Sequence, residues 1–521
     1  MASVQNSVGV STPAYGALPL LAILALAVLL RQLFFGGPIG SDDVVYLGRT
    51  IDVGEGIWGP AYYNGGLRYG YNLPSGALWA LFGPSMQSAN LFSLLSSLLE
   101  IALVYFFVMK LWGLRAAWIA ALIMALLPLH ISVATSIHAD PAAALFISLS
   151  VVVFYFAEQT KSRGLYFLCG LSIGYVFWVK ELIIVYILMF ALYALINWRW
   201  SNLWFFVGFG GLVMLLGHFA IMWAIAGDPF HGFRVYFMQI SRDFIGGAKE
   251  TEPFYYFRYL LLDVRHTGLL GPLAALAAVV ALARFRSRLD PGVAFVLWWA
   301  AGLLVVFSFT PISLAPFQFI TKQSNYLNLF FAPLTLLAAW LLSQWSLRWC
   351  LAALLPLVAL SIVLAGLKQQ DTRAFVSNGR AVIAFAQANP EAEVYASVNN
   401  RNMSTFYTRL GEPLPTVRTL GELTPRPEAD VRIFAVLDPV TQGWSPSDVD
   451  LEAAPACWTH HGNLTPTGFG LGQYVAIAAV SVIDFVPAAI GDKIAGPFQA
   501  LLFPEPAQVY AVPADDPWCE G

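Results

Sequence analysis

The fold is decided by residues 16–50, which read GALPLLAILALAVLLRQLFFGGPIGSDDVVYLGRT. Residues 16–35 form an apolar run of the length that a helix needs to cross a bilayer, about 20 residues. The acidic pair Asp42 and Asp43 follows shortly after the end of that run. The stretch therefore predicts a membrane-spanning helix that leads directly into a polar segment at the membrane surface.

The composition of the whole chain extends this prediction. Of its 521 residues, 58% are hydrophobic and only 11% are charged, whereas a soluble domain carries about 25% charged residues. A water-soluble core cannot absorb so much apolar surface, so the chain is predicted to be an α-helical polytopic membrane protein. The net charge of −3 and the lack of a basic tract indicate no nucleic-acid partner. The sequence contains no P-loop motif, so a soluble nucleotide need not be its substrate.

Apolar runs of similar length recur along the chain. We predict about 11 transmembrane helices, with about 11–13 as the range. The apolar segments are 16–35, 88–109, 115–134, 141–157, 164–179, 182–197, 203–226, 268–283, 292–310, 326–343 and 349–367. The run 472–490 is a candidate for a further span, although Asp484 and Pro487 interrupt it.

The connections between these segments alternate along the chain between a basic set and a set with fewer basic residues. One set of short connections carries residues such as Lys110, Lys161 and Arg348. By the positive-inside rule, this set faces the cytoplasm. The other set, which includes the long loops 36–87 and 227–267, then faces outward. Long structured loops usually carry function, so these two loops are predicted to form the active face.

The chain is predicted to divide into two units. Residues 1–367 form the transmembrane domain, and residues 368–521 form a small extracytoplasmic α/β domain. In the second unit EVYASV and VRIFAVLDP are typical of strands, and GQYVAIAAVSVI is also strand-like. Cys457 and Cys519 lie in this tail and would pair if it is in an oxidising compartment.

The acidic pair admits two interpretations. Ser41 fits a helix N-cap, and Asp42 and Asp43 fit a first helical turn, where carboxylates complement the helix dipole. Alternatively, a carboxylate close to a low-dielectric boundary suits a general base, since partial desolvation raises its basicity. The residues themselves leave both interpretations open.

Three further outward positions place polar residues at the ends of spans. Asp140 fits a helix start, but it would also suit a metal ligand or an acid that orients a cation. Lys180 and Glu181 are either a tight turn with snorkelling side chains or a cation site for a lipid phosphate. Lys322 and Tyr326 begin a late span, where such residues are also ordinary interfacial anchors.

The second outer loop mixes aromatic residues with cations. Such a segment is typical of an amphipathic stretch at the membrane interface, and it would also clamp a phosphate. Its candidate residues are Arg242, Arg258, Arg265 and His266. Within the predicted spans, Glu100 and His218 are either functional groups or a mutual structural pair.

These motifs, taken in order, resemble the GT-C membrane glycosyltransferases, specifically the family 39 group of protein O-mannosyltransferases and aminoarabinose (lipid A) transferase-like enzymes. In that group the first outer loop opens with an acidic pair and a tyrosine, which Asp42, Asp43 and Tyr46 match. An aspartate opens the fourth span, as Asp140 does, and a lysine lies near the outer end of the fifth, as Lys180 does. A late span resembles KQSNYLNLFFAPLTLLAAW, and the match covers residues 15–345.

The resemblance implies an inverting hexosyl- or pentosyltransferase. Such enzymes move a sugar from a polyprenyl-phosphate donor to a protein, lipid or cell-envelope glycan outside the cytoplasm. Asp42 is the implied general base, with Asp43 as the alternate. The implied donor-phosphate and substrate contacts are Asp140, Lys180, Glu181, Arg242, Arg258, Arg265, His266, Lys322 and Tyr326. The implied substrate loop contains Tyr46, Arg68, Tyr71 and Asn72.

One motif departs from the group. Many members carry Lys-Pro-Pro where this chain has Asn72-Leu73-Pro74, so a cation that is often placed near the donor phosphate is missing. Some relatives use a divalent metal ion and others do not, so no cofactor is firmly implied, with Asp140 as the candidate ligand.

The expected location is the plasma (inner) membrane of a prokaryote, with the active site and the C-terminal domain on the extracytoplasmic side. The competing function is a membrane transporter or lipid flippase without covalent chemistry. That class predicts internal repeats and polar groups near the bilayer midplane. The sequence shows no clear repeat, and its unusual charges concentrate on one side.

Overall fold

The structure is a computed structural model that describes residues 14–197, 201–245, 251–284, 290–315, 317–423, 432–445, 448–449, 451, 453–483, 502 and 504–513. Its helices are, in chain order, α1 (Ala14–Leu33), α2 (Asp42–Gly54), α3 (Asn64–Leu67), α4 (Tyr69–Phe82), α5 (Met86–Trp112), α6 (Leu114–Leu126), α7 (Pro128–Ala134), α8 (Asp140–Thr160), α9 (Arg163–Val179), α10 (Leu188–Asn197), α11 (Phe205–Ala226), α12 (His231–Ile245), α13 (Tyr255–Leu261), α14 (Val264–Thr267), α15 (Leu270–Ala283), α16 (Pro291–Phe309), α17 (Phe331–Ser343), α18 (Leu347–Phe375), α19 (Ser377–Ala388), α20 (Val398–Arg409) and α21 (Gly472–Ile483). Short 3₁₀ segments cover Glu181–Ile187, Asn202–Trp204, Ser324–Phe330 and Leu420–Glu422.

The predicted spans correspond to helices. Each of the apolar segments predicted between residues 16 and 367 lies on a described helix or on a pair of consecutive helical segments. Seven described helices are long and apolar enough to cross a membrane, or eight if the bent pair α6–α7 is one span. Three more segments, 164–179, 182–197 and 268–283, form shorter apolar helices. The chain is an integral membrane protein of the predicted helical class, and the number of spans stays a prediction.

The bend between α6 and α7 has a local cause. The two helices meet at an angle of 62°. Pro128 begins α7, and a proline disfavours the helical conformation in the residue before it. Leu127 accordingly adopts an extended conformation, with φ −61° and ψ 125°. The bend directs His130 into the space between α1 and α5.

A buried network of polar side chains lies within the membrane region at this bend. Nη2 of Arg31 donates to Nδ1 of His130 at 2.8 Å, and Nε2 of His130 lies 3.2 Å from Oε2 of Glu100. Because Nδ1 accepts a hydrogen bond from Arg31, Nε2 carries the ring proton and donates a hydrogen bond to Glu100. Ser97 and Ser148 complete the network, at 2.7 Å from Nη2 of Arg31 and 2.9 Å from Oε1 of Glu100. Arg31, Glu100 and His130 are each at most 1% exposed, and the network supplies the hydrogen-bond partners that such buried polar groups need.

The alternative that Glu100 pairs with His218 is wrong. His218 lies on α11 and packs against the rings of Phe177, Phe233 and Tyr236, at 5.1, 5.8 and 6.3 Å between centroids. The sequence brought both residues to apolar spans without showing which helices are neighbours. His130, on the bent pair, is the partner that the helix arrangement supplies.

Both long outer loops are largely helical. Residues 36–87 contain α2, α3 and α4, and residues 227–267 contain α12, α13 and α14. Arg49 on α2 donates to the Gly66 carbonyl at 3.3 Å and to the Tyr69 hydroxyl at 3.0 Å. These hydrogen bonds hold the segment between α2 and α4 against α2, so the first loop is an ordered, packed structure.

The C-terminal unit is an α/β domain, as predicted. Its strands are β3 (Ala392–Ala396), β4 (Val417–Thr419), β5 (Arg432–Leu437), β6 (Thr459–Leu464) and β7 (Ala507–Val512), whereas β1 (Pro311–Leu314) and β2 (Phe317–Phe319) form a separate hairpin. The sheet order is β4-β3-β5-β7-β6, with β3 parallel to β4 and β5, and β7 antiparallel to both of its neighbours. Val394, Phe434 and Val509 form one core with Val382 of α19.

Two features of the tail differ from expectation or extend it. GQYVAIAAVSVI is the helix α21, not a strand, because its small apolar residues pack on α18, where a Cβ at Gly472 would collide with the Gly366 carbonyl. Residues 484–490 of the proposed further span lie outside the described residues. Helix α18 continues through residues 367 and 368 to Phe375, so a continuous helix joins the two units.

The cysteines divide between the two units. Cys169 and Cys350 are buried free thiols in the membrane region. Cys457 is disulfide-bonded. Cys519 lies outside the described residues, so its pairing with Cys457 stays a prediction.

Glycines allow α9 and α11 to approach closely. A Cβ at Gly170 would collide with the Val207 carbonyl, and one at Gly210 would collide with the Phe167 carbonyl. In membranes, small residues let helix backbones come together and gain packing. This helix pair forms one wall of the apolar groove near the site described below.

The glycine contact predicts an asymmetric pair of variants. Gly170→Val should lower thermal stability in detergent by at least about 1–3 kcal/mol, because overpacking against backbone cannot relax by a side-chain rotation. Gly208→Val is the matched control on α11, since no atom lies within 4 Å of its Cβ position. Equal unfolding midpoints for the two variants would contradict the close α9–α11 contact.

Candidate active site

The two acids that begin α2 occupy different environments. Asp43 is 1% exposed, and its carboxylate accepts the backbone N–H of Ile39 at 2.8 Å and of Ser41 at 2.6 Å. Burial raises the pKa of Asp43, against the opposing effect of these hydrogen bonds. Asp42 is partly exposed and accepts a hydrogen bond from the Tyr63 hydroxyl. Asp43 is therefore committed to the backbone, whereas Asp42 keeps carboxylate surface open to a ligand.

The N-cap expectation for Ser41 fails in its detail. Ser41 precedes α2, but its side chain makes no capping hydrogen bond. The carboxylate of Asp43 instead binds the turn before the helix. The pair is thus more than a pair of first-turn charges, since one member shapes the backbone that presents the other.

Arg68 joins the first outer loop to the end of α9. Its Nε and Nη2 donate to the two carboxylate oxygens of Glu181 at 3.1 and 3.0 Å, and its Nη1 donates to the Tyr46 hydroxyl. All three side chains are buried. A bidentate contact of this kind is among the stronger hydrogen-bonded ion pairs in proteins. Tyr46 lies one turn after Asp42 on α2, so the contact also orients that helix.

Asp140 and Lys180 form a second buried pair. Nζ of Lys180 donates to Oδ1 of Asp140 at 2.7 Å, while Nδ1 of His138 and Nδ2 of Asn325 lie 2.7 and 3.0 Å from Oδ2. The Lys180 ammonium also lies 4.5 Å from the centre of the Tyr326 ring, in a cation–π contact. Both oxygens of Asp140 thus face nitrogen groups that hold it in place.

This donor set does not fit a divalent cation. A metal needs free acceptor groups, and the oxygens of Asp140 are already occupied by Lys180, His138 and Asn325. In the part of the chain that the structure describes, no three His, Cys, Asp or Glu side chains are grouped so that they could hold a metal ion. We therefore derive no step through a metal.

The charged groups lie close enough to interact electrostatically. The charges of Arg68, Asp140, Glu181 and Asp42 all act on the buried phenol of Tyr326. Lys180 in turn senses Asp140, Arg68 and Asp42. We refer to Asp42, Arg68, Asp140, Lys180 and Glu181 as the outer charge cluster.

An apolar groove leads from this cluster into the membrane region. A cavity of about 220 Å³ is bordered by Glu181 together with Phe177, Ile184 and Phe233. A larger cavity of about 630 Å³ shares those three apolar residues and continues between α9, α10 and α11. The two cavities thus form an apolar space that reaches the buried carboxylate of Glu181, the partner of Arg68.

Two substrate-loop residues lie on α4 and are already engaged. The Tyr71 hydroxyl lies 2.9 Å from the Ser93 hydroxyl. Nδ2 of Asn72 donates to the Gly65 carbonyl at 3.0 Å, and its Oδ1 has no hydrogen-bond partner among the described residues. Asn72 therefore supports the loop backbone at the position where many similar enzymes carry a lysine.

The cations of the second outer loop have partners of their own. Arg258 is half-exposed and lies 3.6 Å from Glu252. Arg265 pairs with Asp263 at 2.6 Å, and burial lowers the pKa of His266 to about 4, so that side chain is neutral near pH 7. Their described contacts do not include the outer charge cluster, so their role in phosphate binding stays a prediction.

The remaining predicted cations are Lys322 and Arg242. Lys322 is buried, and its Nζ donates to the Thr251 carbonyl at 3.3 Å and lies 5.2 Å from the centre of the Phe319 ring. It precedes Asn325, which contacts Asp140, by three residues. Arg242 is part of α12, but its side chain lies outside the described residues.

Sequence reasoning missed three side chains of the site. They are Tyr63 at Asp42, and His138 and Asn325 at Asp140. His138 and Asn325 stand next to predicted site residues in the chain, so proximity was an available signal. Tyr63 had none, because it is one of several tyrosines in an aromatic stretch.

Comparisons with known sequences find similarity to sugar transferases. The profile of a family described as dolichyl-phosphate-mannose-protein mannosyltransferase matches residues 76–223. Two curated relatives, from Edwardsiella ictaluri and Yersinia enterocolitica, are undecaprenyl phosphate-alpha-4-amino-4-deoxy-L-arabinose arabinosyl transferases. They are 28% and 27% identical over 290 residues, which is 53% of this chain and 50% of each relative. The chain thus spans about half the length of the curated relatives that it matches.

Solved structures show a similar fold. ArnT from Cupriavidus metallidurans in the apo state matches with a TM-score of 0.56 and 17% identity, over 82% of this chain and 94% of that one. The same protein bound to undecaprenyl phosphate gives a TM-score of 0.55 and 17% identity, over 83% and 94%. The archaeal oligosaccharyltransferase AglB from Archaeoglobus fulgidus gives 0.52 and 13%, over 81% and 69%.

The fold therefore defines the class: the chain is a membrane protein with the GT-C fold. Within that class it resembles the protein O-mannosyltransferase and ArnT type, as the sequence motifs predicted.

The Arg68–Glu181 pair predicts a strong dependence of stability on one carboxylate. Glu181→Gln should cost about 3–5 kcal/mol of unfolding free energy, because it leaves the buried guanidinium without its counter-charge. Asp263→Asn is the control, since its partner Arg265 is 74% exposed and such pairs are worth about 0–1 kcal/mol. Thermal unfolding in detergent measures both, and equal losses would refute the dependence.

Proposed function

We propose that the protein is a polyprenyl-phosphate-sugar-dependent glycosyltransferase that acts on an acceptor outside the cytoplasm. One observation carries the proposal: an apolar groove is bordered by Glu181, which binds the buried cation Arg68, and the same charge cluster contains the buried cation Lys180 and the partly exposed carboxylate Asp42. A polyprenyl-phosphate sugar has the matching parts, a long hydrocarbon chain, an anionic phosphate and a sugar. The undecaprenyl-phosphate names of the curated relatives and the ArnT complex with undecaprenyl phosphate support the same donor class.

The donor fits the site in one orientation. Its isoprenoid chain would occupy the groove between α9, α10 and α11, where apolar burial is favourable. Its phosphate would then lie near Lys180 and Arg68. Charge-assisted hydrogen bonds from these cations would replace part of their present contacts with Asp140 and Glu181. Because both cations are already buried and held in place, little ordering is left to be done when the donor binds.

The reaction needs one proton acceptor and one site for developing negative charge. The acceptor hydroxyl attacks the anomeric carbon of the sugar, a new C–O bond forms, and the bond from that carbon to the phosphate oxygen breaks. The hydroxyl proton passes to Asp42, and the polyprenyl phosphate leaves with the electron pair. Attack from the face opposite the phosphate inverts the anomeric centre.

The cations stabilise the leaving group. Negative charge grows on the phosphate as the bond breaks, and preorganised donors in a low-dielectric site favour that charge. Arg68 is held by Glu181 and Tyr46, and Lys180 is held by Asp140. The missing lysine at Asn72 is thereby offset by a cation four residues earlier, on the same loop.

The acceptor is a hydroxyl-bearing protein, lipid or cell-envelope glycan. The alternation of basic and non-basic connections supports an extracytoplasmic position for the outer charge cluster and the C-terminal domain. The expected location is the plasma (inner) membrane of a prokaryote, and the polyprenyl carrier would present the sugar there.

The direct test supplies proteoliposomes with radiolabelled polyprenyl-phosphate sugars and an envelope extract as acceptor. A glycosyltransferase yields labelled product and free polyprenyl phosphate. A transporter or flippase moves the labelled lipid between leaflets without forming product, and that result would replace the proposal with the competing function.

The acidic pair predicts different effects of two matched variants. Asp42→Asn keeps a hydrogen-bond acceptor for Tyr63, so it should fold normally and lose transfer by roughly 10²–10⁴-fold, the usual worth of a general base. Asp43→Asn should instead lower stability by about 1–3 kcal/mol, because it removes an acceptor from buried backbone N–H groups. Measuring the transfer rate and the thermal stability of both variants distinguishes the two roles. Near-normal turnover in Asp42→Asn would rule out Asp42 as the general base.

Donor binding should depend on the buried lysine. Lys180→Ala is expected to weaken binding of a polyprenyl phosphate by at least about 10-fold, because charged hydrogen bonds are worth about 1.5–3 kcal/mol. Lys161→Ala is the matched control, since that lysine is 56% exposed and pairs with Glu158 at the opposite end of α8. Equal donor affinities in a titration of the two variants would move the phosphate site away from Lys180.

A further inference from the structure

Helix α20 of the C-terminal domain contacts the turn that precedes the acidic pair. Nδ2 of Asn399 donates to the Ile39 carbonyl at 2.8 Å and lies 3.3 Å from the Gly40 carbonyl oxygen. Nδ2 of Asn402 donates to the Gly40 carbonyl at 3.1 Å. Two amides from another domain thus bind the carbonyl groups of a three-residue turn.

Asp43 binds the opposite side of the same turn. Its carboxylate accepts the N–H groups of Ile39 and Ser41. The carbonyl groups of this turn therefore face the C-terminal domain, and its N–H groups face the start of α2. The turn is held from both directions, and Asp42 is the next residue along the chain.

The turn leaves little room for another arrangement. Gly40 has a φ of +69°, a conformation that glycine adopts readily and that other residues rarely adopt. A Cβ at Gly40 would lie 2.9 Å from Nδ2 of Asn399 and 3.0 Å from Cγ of Met403. The close approach of α20 to the Gly40 backbone is thus part of the packing between the two domains.

We call the contact of Asn399 and Asn402 with the turn 39–41 the clamp. Helix α20, which carries it, is anchored inside the C-terminal domain. The first turn of α20 is held by Asp438, which follows β5 and accepts hydrogen bonds from Asn400 at 3.2 Å and Thr441 at 2.6 Å. At the other end of α20, Arg409 crosses Gly48 of α2 and lies 3.5 Å from the Val44 carbonyl oxygen. Helix α20 therefore contacts both the turn before α2 and the helix itself.

We propose that α20 is a positioning element of the active site, with Asn399 and Asn402 as positioning residues for Asp42. This inference rests on the proposed function, because it assigns the C-terminal domain a role in the transfer step. The domain holds the turn from which Asp42 projects, so the carboxylate meets the acceptor hydroxyl in a defined direction. Donor binding, which uses Arg68 and Lys180, does not require the clamp.

The test compares the double variant Asn399→Ala/Asn402→Ala with Thr408→Ala in the full-length protein. Thr408 is exposed on the same helix, and within the described part of the chain its side chain bonds only the Ser404 carbonyl. The double variant should lose roughly 10–100-fold in kcat, the usual effect of misplacing a reacting group by about 1 Å, with the affinity for polyprenyl phosphate unchanged. In an Asp42→Asn background the same change should add no further loss, because the group that it positions is absent. Asn402→Ala alone, at a partly exposed position, provides a milder variant if the double variant does not fold.

A second readout does not depend on activity. Hydrogen exchange of the segment 36–47 should accelerate in the Asn399→Ala/Asn402→Ala variant and stay at the wild-type rate in Thr408→Ala. Unchanged exchange, a parallel loss of donor affinity, or a further loss of kcat in the Asp42→Asn background would each overturn the positioning role. If wild-type protein yields no glycosylated product, the proposed function fails, while the exchange measurement still decides whether the clamp exists.

Discussion

Buried charges at one end of the membrane region are paired with charges from other segments, and the rest of the site depends on this constraint. A lone ammonium or carboxylate in a low-dielectric region is costly, and each therefore needs a partner. Lys180 at the end of α9 meets Asp140 at the start of α8, and Arg68 of the first loop meets Glu181. These two pairs fix the relative positions of three segments that are distant in the chain.

Stability alone does not explain these two charged pairs. Hydrophobic residues of equal volume would hold the segments together without the cost of desolvating four charges. Charged groups near a membrane often mark function, and the proposed polyprenyl-phosphate donor would give these charges such a role. Within the described part of the chain, Asp42 accepts a hydrogen bond from the neutral Tyr63 hydroxyl, whereas Asp140 and Glu181 each contact a buried cation.

The soluble domain takes part in this arrangement. Its sheet places α20 against α2, and the asparagines of α20 bind the backbone from which the acidic pair begins. Two domains that differ in composition thus share one short turn. A soluble domain that meets the membrane unit through buried hydrogen bonds, and also through the continuous helix α18, is held more rigidly than one tethered by a flexible linker.

The membrane class, the approximate positions of the spans and the α/β character of the tail followed from sequence, because apolar run length and strand composition are local properties of the chain. The acidic pair, Asp140, Lys180, Glu181 and Tyr326 were also singled out in this way, since each breaks an apolar pattern at a span end, and their functional roles stay predictions. The tertiary structure alone decided which charges pair: Glu100 with His130 and not His218, and Arg68 with Glu181. It also decided that GQYVAIAAVSVI is a helix, since that segment packs closely on α18 at Gly366, and that Asp43 binds backbone while Asp42 stays partly exposed. Pairing and packing depend on which helices become neighbours, and residues far apart in the chain carry no local signal of that.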